Sequence, residues 1–533
     1  MNTQFKIPLV IVQKIGKKGN CMKTKCNNNH FWFGFLLLLT LSLPLYCLED
    51  HQALTPPMGF STWNEFGCGI SEATLVNIGR LMIQKHTADW EGKEQSLKDA
   101  GYTYVNIDDC WQANSRDAQG NPQCDTAKFP KGLKWLADTL HHIGLKIGIY
   151  SCAGTTTCCN YFAEYDPGHP DVGYNQIDAN AYASWGIDYL KEDWCSVPSD
   201  FQSAAGSQKL YARMRDALKT ATSKTGRPIV FSLCNWGQFS VYQWGDTIGH
   251  LWRTGGDITP DWNSIITNIT NNSSGAEYAK PGAWNDPDMM EVGNGTLSLS
   301  ENRAHFDLWC ISAAPLILGN DLSKMPDSIF SILSNREVIA IDQDSLGYQG
   351  RKARTDGDVQ IWSKKLKNGA WAVVLVNNGN ASANSSVKWS DIGESDLNKS
   401  YPVRDLWQHK IVNQSATGSY TVNNIPAHST VHLAFGTAYW MEPVSIGNNS
   451  SNKSSSRTSE NNILVKKFDN TTAVYIPFAS SNVKIYDLQG KQINSFFVKE
   501  PSWKTIPKSS VKDKMSVVQI ISNSGGKMTL TVK

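Results

Sequence analysis

The sequence predicts an α/β chain built as a (β/α)8 barrel of the TIM type, followed by an antiparallel β-sandwich domain and a small C-terminal β module. Three observations carry that prediction. Between Pro57 and about Asn320, short apolar β-type runs alternate with segments of helical periodicity, the mark of parallel strands joined by helical crossovers. After Asp344 the helical segments give way to alternating strands separated by Gly and Asn turns, as in an antiparallel sheet. Residues 447–461 are then dominated by Asn and Ser without a periodic apolar face, which is linker composition. The division is a signal sequence region at 1–48, the barrel at 54–344, the sandwich at 345–438, a linker at 439–461 and the C-terminal module at 462–533. A chain of 533 residues also suits about three folded units.

The N-terminus carries Lys14, Lys17, Lys18, Lys23 and Lys25, then an apolar run over 31–47. That order is a secretory signal, with the cut expected between Leu45 and His51. Met22 offers a second translation start. The run approaches the roughly 17-residue minimum for a bilayer span, so an uncleaved anchor is the competing reading. Cys47 follows Pro44, Leu45 and Tyr46 rather than small residues, which argues against a lipoprotein site. Eight barrel strands are expected near 57–63, 102–108, 146–151, 188–192, 229–234, 251–254, 282–285 and 315–319. Amphipathic helical stretches lie between them, such as Gly132–His142 and 209–223. The sandwich is read from Val359-Gln-Ile-Trp, Trp371-Ala-Val-Val-Leu-Val, Tyr420-Thr-Val and Val431-His-Leu-Ala-Phe. The clearest strand of the tail is Val483-Lys-Ile-Tyr-Asp-Leu-Gln-Gly. It resembles the β modules used for surface sorting by some secreted bacterial proteins, and a carbohydrate-binding module is the competing reading.

A formal net charge of +2 supplies neither a basic field for nucleic acid nor an acidic tail. Nineteen tryptophans suit sugar faces as well as core packing. Twelve cysteines in a chain headed for export imply disulfides, whose pairing spacing alone does not give. No Cys-x-x-Cys pair has zinc spacing, so no metal and no cofactor is expected. Asn268, Asn272, Asn294, Asn384, Asn398, Asn413 and Asn470 open glycosylation triplets, which matter only in a eukaryotic secretory pathway.

Two short signatures follow predicted strands: Tyr-Leu-Lys-Glu-Asp-Trp-Cys, ending at Cys195, and Trp-Arg-Thr-Gly-Gly-Asp, ending at Asp257. Carboxylates at the ends of different barrel strands converge on the active face. Hydrolysing an acetal with retention needs two of them, a nucleophile and an acid that later acts as base, roughly 5 to 5.5 Å apart. Asp193 and Asp257 are the candidates. Strand side chains alternate, so Lys191 shares the face of Asp193, where its ammonium favours the anion, and Glu192 points away. Asp108 and Asp109 end the second strand, and at a strand-to-loop transition both reach the pocket. Asp261, beside Trp262 in a predicted loop, is a decoy.

Further motifs stand in order: Pro-Pro-Met-Gly-Phe-Ser-Thr-Trp-Asn at 56–64, Asn-Ile-Asp-Asp-Cys-Trp at 106–111, Leu-Lys-Ile-Gly-Ile-Tyr-Ser at 145–151 and Ala-Trp-Asn-Asp-Pro-Asp-Met at 283–289. With them the chain resembles the melibiase clan of α-galactosidases, glycoside hydrolase family 27, from about Leu54 to about Gly436. The resemblance implies a secreted or cell-surface retaining exo-α-D-galactosidase acting on terminal α-galactosyl residues of oligosaccharides or galactomannans. It makes Asp193 the nucleophile and Asp257 the acid/base, with Lys191 and Arg253 contacting sugar or nucleophile. It places Asp108 and Asp109 on the 4- and 6-hydroxyl region, Trp63 as an apolar wall, and Tyr150, Asp288 and Met289 as further contacts. Leu233-Cys-Asn-Trp-Gly resembles the pattern in which Cys234 and Trp236 crowd out an N-acetyl group, and Asn235 is a tolerated variant. The resemblance pairs Cys68 with Cys110 and Cys158 with Cys195, although Cys159 is adjacent and Cys152 near. Against the family, 85–92 reads as an insertion. A β-L-arabinopyranosidase of the same family and a catalytically inactive galactose-binding protein are the alternatives.

Overall fold

The computed structural model describes residues 48, 50–86 and 93–436, and seven strands between Leu464 and Val532. The signal sequence region with most of its cut window, residues 87–92 of the insertion, the linker at 439–461 and Asn470 lie outside the described residues. Among the described residues, no helix is long and apolar enough to cross a membrane.

Eight parallel strands form the first sheet: β1 Met58–Ser61, β2 Tyr104–Asn106, β3 Lys146–Cys152, β4 Tyr189–Asp193, β5 Val230–Cys234, β6 Leu251–Arg253, β7 Trp284–Asp286 and β8 Leu316–Leu318. They neighbour one another in chain order, and β8 returns to pair with β1. A parallel bridge between Met290 and Leu318 meets the remaining seam. Almost every strand residue is buried, as expected where helices cover the outer face and side chains fill the inner one. The helix Gly132–His142 buries Leu133, Leu136, Ala137 and Leu140, a stripe at i, i+3, i+4 and i+7. The predicted helix at 209–223 is part of a longer one, Ala204–Thr225, opened by Ser203 accepting from Gly206 N.

Two expectations are corrected. The first strand stops at Ser61, and Trp63 opens a short helix, Trp63–Phe66, because the Thr62 hydroxyl is engaged by Asp108 N at 3.0 Å and the chain turns there. Asn268 and Asn272 are buried in the helix Trp262–Ser273, where Asn272 accepts from the Thr254 hydroxyl at 3.0 Å, so neither is open to a glycan in the folded chain. Asn384 and Asn398 are exposed.

Beyond the barrel lie β9 Arg351–Asp356, β10 Val359–Lys365, β11 Trp371–Asn377, β12 Ala383–Lys388, β13 Ser400–Asp405, β14 Lys410–Thr417, β15 Ser419–Ile425 and β16 Ser429–Phe435. Six of them form one antiparallel sheet, in the order β14-β13-β16-β11-β10-β9, and β12 pairs with β15. One hydrophobic cluster runs from barrel residues into Trp362, Val374, Val376 and Leu406. Between barrel and sheet lies the helix Leu299–Ile311, and its buried Asp307 accepts from Trp407 Nε1 at 3.0 Å and meets His432 Nδ1 at 2.7 Å. The C-terminal unit by itself contains a three-stranded and a four-stranded antiparallel sheet.

Candidate active site

Alternation along β4 sends Lys191 and Asp193 to the barrel interior and Glu192 outward. Asp193 is buried and oriented by two donors: Tyr150 Oη at 3.1 Å to one oxygen and Trp194 N at 2.8 Å to the other. Burial pushes its carboxyl up to about 6, and the pull of Lys191 in the opposite direction does not win. The Lys191 ammonium lies 2.8 Å from Asp108 instead. Lys191 favours the Asp193 anion, as expected, but removal from water outweighs the nearby charge.

Outside β4, Glu192 is fully buried with Glu164 and Asp178. Burial pushes Glu192 well above the usual carboxyl range, Glu164 up to about 8 and Asp178 up to about 6. Both Glu192 carboxyl oxygens are buried without a hydrogen-bond partner among the described residues, and Glu164 accepts from Asn175 Nδ2 at 2.7 Å. Arg116 forks onto Asp178, with Nη2 at 2.7 Å.

Arg253 ends β6, its side chain only 4 % exposed, and its Nη2 reaches Asp257 at 3.1 Å and Asp288 at 2.9 Å. Burial opposes its charge, but Asp288 and its other anionic neighbours outweigh that and raise its pKa. Asp257 has a side chain 73 % exposed at the rim, where it meets water and the pocket at once. Asp261 caps the helix Trp262–Ser273 through Ser264 N and stays outside the pocket.

Asp108 and Asp109 lie just past β2, and both line the same pocket as Asp193 and Asp257, about 110 Å3 in volume. Burial raises Asp109, which accepts from Cys110 N at 2.7 Å and from Cys159 N at 2.9 Å. Trp63, Tyr150, Lys191, Trp236, Asp288 and Met289 also line it, as does Arg253. Cys234 is not among the lining residues; it sits below, with its sulfur 3.8 Å from Arg253 Nη1. Asn235 is buried and donates to the Gln238 carbonyl at 2.8 Å, a loop-holding role. The sulfurs of Cys68 and Cys110 are joined, as are those of Cys158 and Cys195. Cys159, a free thiol, has its sulfur 3.7 Å from that of Cys68. A larger groove, about 540 Å3 beside Tyr348 and Trp371, contains none of these pocket residues.

Sequence reasoning passed over Asn64, in the pocket wall, and Asp286, at the end of β7. Both stand inside quoted motifs, beside Trp63 and two positions before Asp288, so the signal was adjacent to residues already chosen.

The sequence and the fold both have relatives. The family description "Alpha galactosidase A" matches residues 55–344, and "Alpha galactosidase C-terminal beta sandwich domain" matches 356–435. The chain belongs to the melibiase family. Alpha-galactosidase 2 of Arabidopsis thaliana is 44% identical over 364 residues, 68% of this chain and 85% of that protein. The structure of alpha-galactosidase I from Mortierella vinacea superposes with a TM-score of 0.67 at 35% identity, covering 74% of this chain and 99% of that one. A structure of the Saccharomyces cerevisiae alpha-galactosidase with raffinose superposes with a TM-score of 0.63 at 29% identity, over 72% of this chain and 98% of that one. The melibiase match spans the barrel that carries the pocket and the sandwich behind it. Membership makes the chain a glycoside hydrolase of the α-galactosidase type.

Proposed function

We propose that the chain is a secreted or cell-surface, retaining exo-α-D-galactosidase, with Asp193 as nucleophile and Asp257 as acid/base. The observation that carries this reading is the contrast between two aspartates in one pocket: Asp193 is buried and doubly hydrogen-bonded, while Asp257 is at the solvent edge. In the first step a carboxylate oxygen of Asp193 forms a bond to the anomeric carbon as the glycosidic C–O bond breaks. The Asp257 proton goes to the departing oxygen. In the second step water attacks the same carbon, its proton passes to Asp257, and Asp193 is released as the carboxylate. Tyr150 Oη and Trp194 N–H hold the nucleophile in one orientation through both steps. An acid/base that must serve a leaving group and then a water needs access to solvent, which the rim position of Asp257 supplies.

A blind pocket of about 110 Å3 favours one terminal ring over a threaded chain, which supports exo action. The carboxylates of Asp108 and Asp109 accept from hydroxyls, and an acceptor placed for an axial hydroxyl rejects an epimer strongly. Terminal α-galactosyl groups of raffinose-type oligosaccharides, galactomannans or glycoconjugates fit this chemistry, and the yeast relative is a complex with raffinose. Export is supported by the leader-like N-terminus and by two disulfides at the pocket mouth.

The test compares nitrophenyl α-galactoside with nitrophenyl β-L-arabinopyranoside, using Asp193→Asn as control and nuclear magnetic resonance to read the first-formed anomer. Preferred turnover of the galactoside to α-galactose, abolished in Asp193→Asn, is the expected result. Preference for the arabinopyranoside would replace the substrate assignment. Binding without turnover would make the chain a galactose-binding protein.

A further inference from the structure

Asp286 ends β7 with its carboxyl beneath the sugar pocket, bordering a chamber of about 30 Å3 that it shares with Tyr189, Ser232 and Lys191. Its Oδ1 accepts from Asp288 N at 2.8 Å, across Pro287. Asp288 has φ of 97°, a conformation uncommon outside glycine that needs its surroundings to hold it. Three contacts depend on that turn: Asp288 Oδ2 accepts from Arg253 Nη2 at 2.9 Å and from Ile258 N at 2.9 Å, and its carbonyl accepts from Trp309 Nε1 at 2.8 Å. Ile258 directly follows Asp257, and Arg253 is the cation that touches Asp257. A chain of four hydrogen-bonded residues therefore runs from the floor of the barrel to the rim carboxyl.

We propose that Asp286 is a positioning residue: by accepting the Asp288 N–H it locks the left-handed turn that aims Asp288 at Arg253 and Ile258, and so fixes the loop that carries Asp257. The proposal rests on the reading of Asp257 as acid/base. Pro287 restricts the turn between the two aspartates, and the side-chain acceptor at 286 closes it from below. What matters at 286 is the acceptor oxygen. Asparagine supplies one and alanine does not.

The loop's placement is read by how much turnover depends on protonating the leaving group. Melibiose needs a proton on its departing oxygen, whereas dinitrophenol leaves without one. In Asp286→Ala, kcat/KM for melibiose falls at least about tenfold further than for dinitrophenyl α-galactoside, within the range that general acid catalysis commands. Asp286→Asn stays within about threefold of the parent on both substrates, because its amide oxygen replaces the acceptor. A purely structural role for Asp286 predicts equal losses on both substrates, and that result overturns the proposal. So does an Asp286→Asn variant with the same split as Asp286→Ala, since charge rather than the acceptor would then be responsible. Asp257→Ala is the control: without the split there, the acid/base reading fails and takes the proposal with it. A split in Asp257→Ala but not in Asp286→Ala overturns the proposal alone. If circular dichroism shows that Asp286→Ala does not fold, Pro287→Gly loosens the same turn with every pocket side chain kept. A folded Pro287→Gly with no split is equally fatal.

Discussion

Burial lifts the Asp193 carboxyl to about 6 although Lys191 pulls it down, so the folded chain at neutral pH keeps an anion that water would solvate better. The raised folded value means that the folded state holds the proton more tightly than the unfolded one. Stability is then greatest at acid pH and falls as pH rises toward about 6, with the full penalty present above it. Asp193→Asn should abolish turnover, keep galactose binding and raise stability at pH 7 by on the order of 1–3 kcal/mol. Calorimetry at pH 7 and at pH 4 checks this, because the gain should vanish where the parent is already protonated. The same group gives kcat/KM an acid limb near 6, above the ordinary carboxylate range, which a pH–rate profile measures. In Asp193→Ala, azide should restore turnover with an inverted glycosyl azide. The two signatures singled out Asp193 and Asp257 as candidates in sequence, since Asp193 ends one strand-like run and Asp257 follows another by four residues. The partner of Lys191 and the turn at Asp288 were not legible, because both depend on which strand ends meet in space.

At the scale of the element, β4 carries the pocket residues on one face and a cluster of buried carboxyls on the other. Glu164, raised to about 8, and Asp178, raised to about 6, both favour the protonated folded state. Their contribution is complete at acid pH and lost as pH climbs through that window. The melting temperature should therefore decline between about pH 4 and about pH 8, from the ordinary carboxyl range to the raised folded values. Burial raises Glu192 as well, so Glu192→Gln, which cannot ionise, should remove that residue's share and make the decline shallower in a thermal-shift series. Periodicity gave Gly132–His142 with both ends in place, because its apolar stripe is uninterrupted. It overran β1, since Ser61, Thr62 and Trp63 have strand-like side chains, while the chain turns there through the bond from Asp108 N to the Thr62 hydroxyl and those from Phe66 N and Gly67 N back to the carbonyls of Thr62 and Trp63. The triplets opened by Asn268 and Asn272 did not show that both asparagines are buried, because a polar side chain that binds a buried neighbour looks the same in sequence as one that meets water.

The barrel and the sandwich share one hydrophobic cluster, and the buried Asp307 is bonded from sandwich residues. A chain ending at 344 would expose both, so it should fail to fold as judged by circular dichroism and tryptophan emission. A chain ending at 446 keeps that cluster and every pocket residue, and should retain kcat on nitrophenyl galactoside close to that of the full chain. A well-folded protein of that length with most of its kcat lost would refute the proposed division. The change of composition after Asp344 was visible because antiparallel strands alternate and helices do not. The shared core was not, since alternation shows that a face is covered without showing by what.

The crowding of sulfurs at the pocket mouth bears on how the chain acquires its bonds. Cys159 lies as a third sulfur 3.7 Å from Cys68, already in its native place. During oxidation Cys68 thus has two cysteines within reach, and a share of molecules should close the wrong ring. Those molecules must reshuffle through a mixed intermediate before Asp109, bonded from the amides of both competitors, finds its geometry. Cys159→Ser should leave specific activity unchanged while raising the recovery of active protein from the reduced, denatured chain. Recovery without added disulfide isomerase should gain most, the outcome expected where the choice between neighbouring sulfurs limits the maturation of this hydrolase.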